Sequence, residues 1–141
     1  MNLREFTLRD KMGESNFKHA QKEFKNSIPK LVKRYLVKYG KSSIEEDIFI
    51  DQENTHWILN SFMSSIEIMK LPKEYKDSDW GEWFPFAFDM GGWHFCIDMS
   101  DNDYGGVYVN RWNDYSPEEQ FLKIADNFEI FINGLKKEKE L

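Results

Sequence analysis

His94, Cys96 and Asp98 alternate along the segment Trp93-His94-Phe95-Cys96-Ile97-Asp98-Met99, so in an extended chain their three side chains share one face. Each is a competent metal ligand, and a His-x-Cys pair at i and i+2 can reach a single ion. Positions i and i+4 of a strand, however, lie about 13 Å apart, too far for His94 and Asp98 to share that ion. The pattern predicts a structural strand with Cys96 packed inside and Asp98 near a turn. A metal-dependent hydrolase built on His94, Cys96 and acidic neighbours would need a third ligand that the strand does not supply. As a nucleophile, Cys96 would need an activating neighbour in an electropositive pocket, and the acidic residues around it offer none.

The run Asp98-Met99-Ser100-Asp101-Asn102-Asp103 has oxygen ligands at calcium-loop spacing, but an EF-hand loop needs Gly at its sixth position and Glu at its twelfth. Asp103 and Val109 stand there instead, which leaves a polar hairpin loop with an acidic contact surface. The adjacent pairs Glu45/Glu46 and Glu118/Glu119 fall in turns and helix starts, whereas a general acid needs burial to raise its pKa. No Gly-rich phosphate loop, HExxH or GxSxG occurs. The expectation is a chain with no catalytic site, no metal and no cofactor, in which Gly91, Gly92, Gly105 and Gly106 are turn residues. Trp80, Trp83, Trp93 and Trp112 cluster in the second half. Most are expected in the core, but one or two exposed among carboxylates would be interface anchors, the residue type that dominates binding energy. The same rings can stack on sugars, a distinct alternative.

The elements that must position these residues follow from periodicity. Ser15 is placed to cap a first helix over about 16–26, with Phe17, Ala20, Gln21 and Phe24 at helical spacing. Ile28-Pro29 interrupts it, and Pro29 opens a second helix through Tyr39, with a buried stripe of Leu31, Val32, Tyr35, Leu36 and Tyr39 and Gly40 just past its end. Residues 44–51 and 56–59 read as strands, 61–69 fits a strand or a short helix, and 70–82 reads as a loop. Residues 83–88 and 93–99 form a hairpin about the Asp89-Met90-Gly91-Gly92 turn, and Val107-Tyr108-Val109 opens a third strand of the meander. Ser116-Pro117-Glu118-Glu119 has the form of a capping box. The last helix, with its stripe of Phe128, Phe131, Ile132 and Leu135, starts either at Pro117 or near Ala125, because Phe121, Leu122 and Ile124 also fit an extended piece. Helices, then sheet, then helix argues α+β: one domain over 1–141, with its core at about 14–136 and an N-terminal extension over 1–13.

Composition bounds the function. With 40% hydrophobic and 16% aromatic residues in 141, the chain can bury a core, so disorder is not expected. No apolar run approaches the length of a membrane span and no signal peptide is visible, so no membrane partner is expected. The single Cys96 permits no internal disulfide, which fits a reducing compartment, the cytoplasm by default. The formal net charge is −6, unevenly spread: residues 1–40 carry 10 Lys/Arg against 4 Asp/Glu, and residues 41–141 carry 9 against 21. Lys18, Lys22, Lys25, Lys30 and Lys33 interleave with apolar helical positions as a solvated face does. The acidic remainder repels phosphate and attracts a basic protein. Nucleic acid is excluded as the expected ligand; a protein partner is favoured.

The order of the pieces resembles a family. Ile28-Pro29-Lys30-Leu31-Val32-Lys33-Arg34-Tyr35-Leu36-Val37-Lys38-Tyr39-Gly40 is similar to the early helix–proline–helix–glycine element of the SUKH superfamily. Phe84-Pro85-Phe86-Ala87-Phe88-Asp89-Met90-Gly91-Gly92 resembles its hairpin, continued by Phe95-Cys96-Ile97-Asp98. Gly106-Val107-Tyr108 and residues 124–135 follow in the same order, so the likeness spans roughly 14–136. Tyr39 stands where the family has Asn, Asn26-Ser27 replaces its Leu-Gly, and 41–82 carries little of the pattern. The resemblance implies a mixed, largely antiparallel sheet packed with helices, and no enzymatic activity. Many bacterial members are immunity proteins that bind and neutralise a polymorphic toxin, often a nuclease; fungal members regulate cell-wall synthesis as interaction scaffolds. Binding residues in the family follow the toxin, so none carries over. From the loops and strand edges of this sequence the expected contacts are Trp80, Asp101, Asp103, Tyr104, Trp112 and Asp114.

Overall fold

Pro29 does what its chemistry dictates. In the computed structural model, which describes residues 12–141, it precedes helix α2 (Lys30–Tyr39) in extended conformation, and a separate helix α1 (Glu14–Gln21) lies before it. Helix α1 is capped by Gly13, not Ser15: the Asn16 side chain accepts from the Gly13 N–H at 2.7 Å. It also stops at Gln21, short of 26. The Gln21 amide takes over the polar groups that a longer helix would have paired, donating to the Asn26 carbonyl at 2.7 Å and accepting from the Ile28 N–H at 2.8 Å. Gly40 is required by space and not by a left-handed backbone. A Cβ there would lie 2.6 Å from the Leu36 carbonyl oxygen, while the left-handed turn falls on Lys41 at φ 66°. Of the expected N-terminal extension, 1–11 lies outside the described residues.

Strands β1 (Ile48–Ile50), β2 (His56–Phe62), β3 (Trp83–Asp89), β4 (His94–Asp98), β5 (Val107–Asn110) and β6 (Phe121–Ala125) form one sheet in chain order. The α+β class stands. All five strand pairings are antiparallel, a simpler sheet than the mixed one expected. Such a meander puts successive loops at alternate ends, and that alternation decides which loop residues can meet.

Two expectations need correction. Residues 70–77 are not loop, because helix α3 (Ser65–Asp77) runs through Pro72 and leaves only 78–82 as the connection to β3. A reciprocal cap starts it: the Glu67 N–H donates to Ser64 Oγ at 3.3 Å, and the Ser64 N–H to Glu67 Oε1 at 2.8 Å. The helical stripe Ile68, Pro72 and Tyr75 is buried, and that burial outweighs the missing proline N–H. The box at Ser116, conversely, makes only a single 3-10 turn, Pro117–Glu119. The next residues pair with β5 as strand β6, and helix α4 (Phe128–Asn133) begins after them, with Asn127 Oδ1 accepting from the Ile130 N–H at 2.8 Å. This is the later of the two starts the sequence allowed.

The core lies between the sheet and helices α1, α2 and α4. Phe95 and Ile97, on one face of β4, join Phe84, Phe86, Val107 and Val109, closed by Phe128 and Phe131. The opposite face of β4, carrying His94, Cys96 and Asp98, is covered as well, so every residue of the strand is buried. Tyr75 of α3 lies on that second face, with Trp80, Trp112 and Phe121 packed around its ring.

Candidate functional site

Two of the three residues that could do chemistry, His94 and Cys96, do meet other polar groups, but in a sealed place. The Tyr75 hydroxyl lies 2.6 Å from His94 Nδ1 and 3.4 Å from Cys96 Sγ, and accepts from Asn110 Nδ2 at 2.9 Å. Asn110 Oδ1 accepts in turn from Gln120 Nε2 at 2.9 Å and from the Trp112 N–H at 3.0 Å. Burial lowers the His94 pKa to about 4 and pushes the Cys96 thiol up to about 12, and burial likewise raises Tyr75 well above its usual value. Both candidate ligands are therefore uncharged at neutral pH, the reverse of an activated Cys–His pair. Asp98 is turned to its own loop, where Oδ1 accepts from the Ser100 N–H at 2.8 Å and the Ser100 hydroxyl at 2.7 Å. Among the described residues no three His, Cys, Asp or Glu side chains converge as a metal site. What the network does is hold: it ties α3, β4, β5 and the 111–120 loop together through five side chains.

The six expected contact residues are divided by the meander. Asp101, Asp103 and Tyr104 lie on the β4–β5 loop, at one end of the sheet. Trp112 and Asp114 lie on the β5–β6 loop, at the other. At the first end the carboxylates are already occupied. Asp101 pairs with Lys25 and accepts from Asn26 Nδ2 at 3.0 Å, and its hydrogen bond to Lys25 holds its pKa below the usual range. Asp103 pairs with Lys123 at 2.9 Å and accepts from the Tyr108 hydroxyl at 2.7 Å; the Lys123 bond lowers its pKa too. Tyr104 donates its hydroxyl to the Ser27 carbonyl. These residues fasten the loop to the chain after α1 and to β6.

The second end is different. Trp80 reaches it from the α3–β3 connection and packs 5.4 Å from Trp112, both rings half-buried. Trp112 holds a left-handed backbone, φ 53°, uncommon for so large a residue. Asp114 Oδ2 accepts from Trp93 Nε1 at 2.9 Å, and the Trp93 ring lies 6.1 Å from that of Tyr115. Asp89 builds the tight turn beneath, its Oδ1 accepting from the Gly91 and Trp93 N–H groups at 2.9 and 2.8 Å, and Gly92 supplies the left-handed φ of 92°. Burial raises the Asp89 pKa. Beside the turn Met90 is 63% exposed, Tyr115 42% and Ile58 38%, a set of apolar side chains left to solvent. Segments 89–93 and 111–120 carry Asp89, Asp114, Glu118 and Glu119 against the single Arg111, which lies over the Tyr115 ring at 3.7 Å.

Met90 and Tyr115 are absent from the contacts expected from the sequence, and Trp93 enters there only through the tryptophan cluster. The signal that pointed to them was placement: a methionine at the tip of a glycine turn and aromatic residues flanking the same strand end.

A family model described as the SMI1 / KNR4 family (SUKH-1) matches residues 12–134. The chain belongs to that family. SUKH domains generally bind protein partners and are generally non-catalytic. No curated protein and no solved structure matched this SUKH-1 chain. Its matched region contains both ends of the meander and the sealed polar network. No helix among the described residues is long and apolar enough to cross a membrane.

Proposed function

We propose that this SUKH-1 domain acts as an immunity protein, capturing and neutralising a basic protein toxin at the end of its sheet where the 90–93 turn meets the 111–120 loop. One observation carries the reading. Half-buried or exposed aromatic rings (Trp93, Trp112, Tyr115) and Met90 lie beside Asp114, Glu118 and Glu119, with a single arginine between them. Aromatic anchors supply affinity when a partner desolvates them, and the carboxylates raise the association rate of a cationic partner and discriminate against acidic ones. Of the six contacts read from the sequence, Trp80, Trp112 and Asp114 belong to this end. Asp101, Asp103 and Tyr104 belong to the other and enter only if the partner displaces their present hydrogen bonds.

The test is co-expression with a toxin encoded beside the gene. The domain should relieve growth arrest, and Asp114→Lys with Tyr115→Ala should abolish the relief while leaving the urea unfolding midpoint near that of the parent. Relief unchanged by that double variant would overturn the placement, and no relief by the parent would overturn the immunity reading. Rings beside carboxylates also suit a sugar-binding module or a regulatory scaffold of the cell-wall-synthesis type. Glycan-array binding that is lost in Tyr115→Ala would favour the first, and a host regulatory protein retained at high salt the second.

A further inference from the structure

The sheet curls far enough that its last strand approaches the turn between its first two. Between β6 and that turn lies a cleft of about 200 Å³, with Leu122 and Ile124 in its wall and Asp51, Glu53, Lys123 and Asp126 around it. It is smaller than the roughly 300–1,000 Å³ of small-molecule sites and matches one long side chain better than a cofactor.

The charge around it is unbalanced. Asp51 accepts from the Glu53 and Thr55 N–H groups, both at 2.9 Å, and from Trp57 Nε1 at 2.8 Å, so three neutral donors and no cation face it. Among the described residues neither Asp51 nor Glu53 has an ion-pair partner. Lys123 is the single cation in the lining and is already divided between Asp103 at 2.9 Å and Asp126 at 3.3 Å. The cleft is also joined to the docking end. Asp51 holds Trp57, whose ring lies 6.3 Å from Trp93, which packs in turn on Tyr115.

We propose that this cleft receives one arginine side chain of the protein partner, with its methylene stem against Leu122 and Ile124 and its guanidinium between Glu53, Asp51 and Asp126. The arrangement suits arginine over lysine, because a planar, weakly hydrated fork can serve carboxylates that lie on both walls, where an ammonium serves as a point charge. The apolar wall matches the stem that such side chains bury while the head stays in polar surroundings. This inference rests on the protein-binding reading and names the residue by which the partner is gripped.

The test titrates the whole 15N-labelled chain with N-acetyl-arginine amide, and in parallel with the lysine and citrulline equivalents. Saturable shifts are expected at the amides of Glu53, Thr55, Leu122 and Asp126, with weaker binding of the lysine compound and none of the neutral citrulline. Glu53→Lys should weaken the arginine compound about fivefold, since reversal removes one exposed-pair attraction and adds a repulsion of similar size. Asp126→Asn is the second, milder variant. Equal shifts from citrulline, shifts spread over all exposed carboxylates, or no effect of Glu53→Lys would overturn the proposal. Shifts of these amides on dilution without any added compound would also overturn it, assigning the cleft to a second copy of the chain. Should the arginine titration fail while the domain still relieves toxin arrest, the cleft alone falls; loss of relief in the parent removes the protein-binding reading on which it stands.

Discussion

The two ends of the meander have similar chemistry and different occupation. At the β4–β5 loop, Asp101 and Asp103 meet Lys25 and Lys123, and Tyr104 is tied to the Ser27 carbonyl. At the β5–β6 loop, Asp114 meets only the neutral Trp93 N–H, and Met90 and Tyr115 stand in solvent. Both loops are acidic and aromatic in sequence, so composition alone makes them equivalent. The fold makes them unlike, because it brings Lys25 of the chain after α1 and Lys123 of β6 to the first end, whereas segments 89–93 and 111–120 hold no lysine. A surface carboxylate is available to a partner only insofar as the domain has not already matched it.

The largest effect should come from breaking what holds the second end. Asn110→Ala deprives the Tyr75 hydroxyl, the Trp112 N–H and Gln120 Nε2 of a common partner in a fully buried place. Unsatisfied buried groups of this kind cost on the order of 3 kcal/mol together, to be read as a fall in the urea midpoint. Partner affinity should fall with it as the 111–120 loop loosens.

Next in size is a dependence on acid. His94 has a folded pKa of about 4, below the roughly 6.5 of an unfolded histidine. Below that unfolded value the unfolded chain takes up a proton that the folded chain refuses. The His94 contribution is therefore fully present above about pH 6.5 and is lost as pH falls toward 4, by on the order of 3 kcal/mol in all. Urea unfolding across that window should show a slope of about one proton, and His94→Gln should flatten it.

The comparison itself is sharpened by paired charge changes. Asp114→Lys should weaken a basic partner roughly tenfold, by reversing a charge beside the aromatic anchors, with most of the change in association rate and most of it lost in high salt. Asp101→Asn with Asp103→Asn should leave both affinity and urea midpoint near the parent values, because exposed ion pairs contribute little. An opposite ranking in surface plasmon resonance would exchange the roles of the two ends.

Much of the fold was legible. Pro29 and Gly40 bracket α2 and Gly91-Gly92 mark the hairpin, because each imposes a local constraint that packing cannot override. Helix α3 was hidden, since Pro72 and a run of charges disguised a stripe whose burial becomes evident only with Tyr75 over His94. Strand β6 was one of two readings left open, because the Ser116-Pro117-Glu118-Glu119 sequence can start a helix or end in one 3-10 turn. The proposed site was half legible. Tryptophan clustering pointed to Trp80 and Trp112, but the pairing that occupies Asp101 joins residues 76 apart in sequence, which no local pattern reveals.

The central claim is tested most directly by hydrogen–deuterium exchange of the domain in complex with a toxin whose growth arrest it relieves in the co-expression test. The account predicts slowed exchange at 90–93 and 111–120, with the 99–106 loop exchanging as in the free protein. Protection confined to 99–106, or absent from both ends, would contradict it.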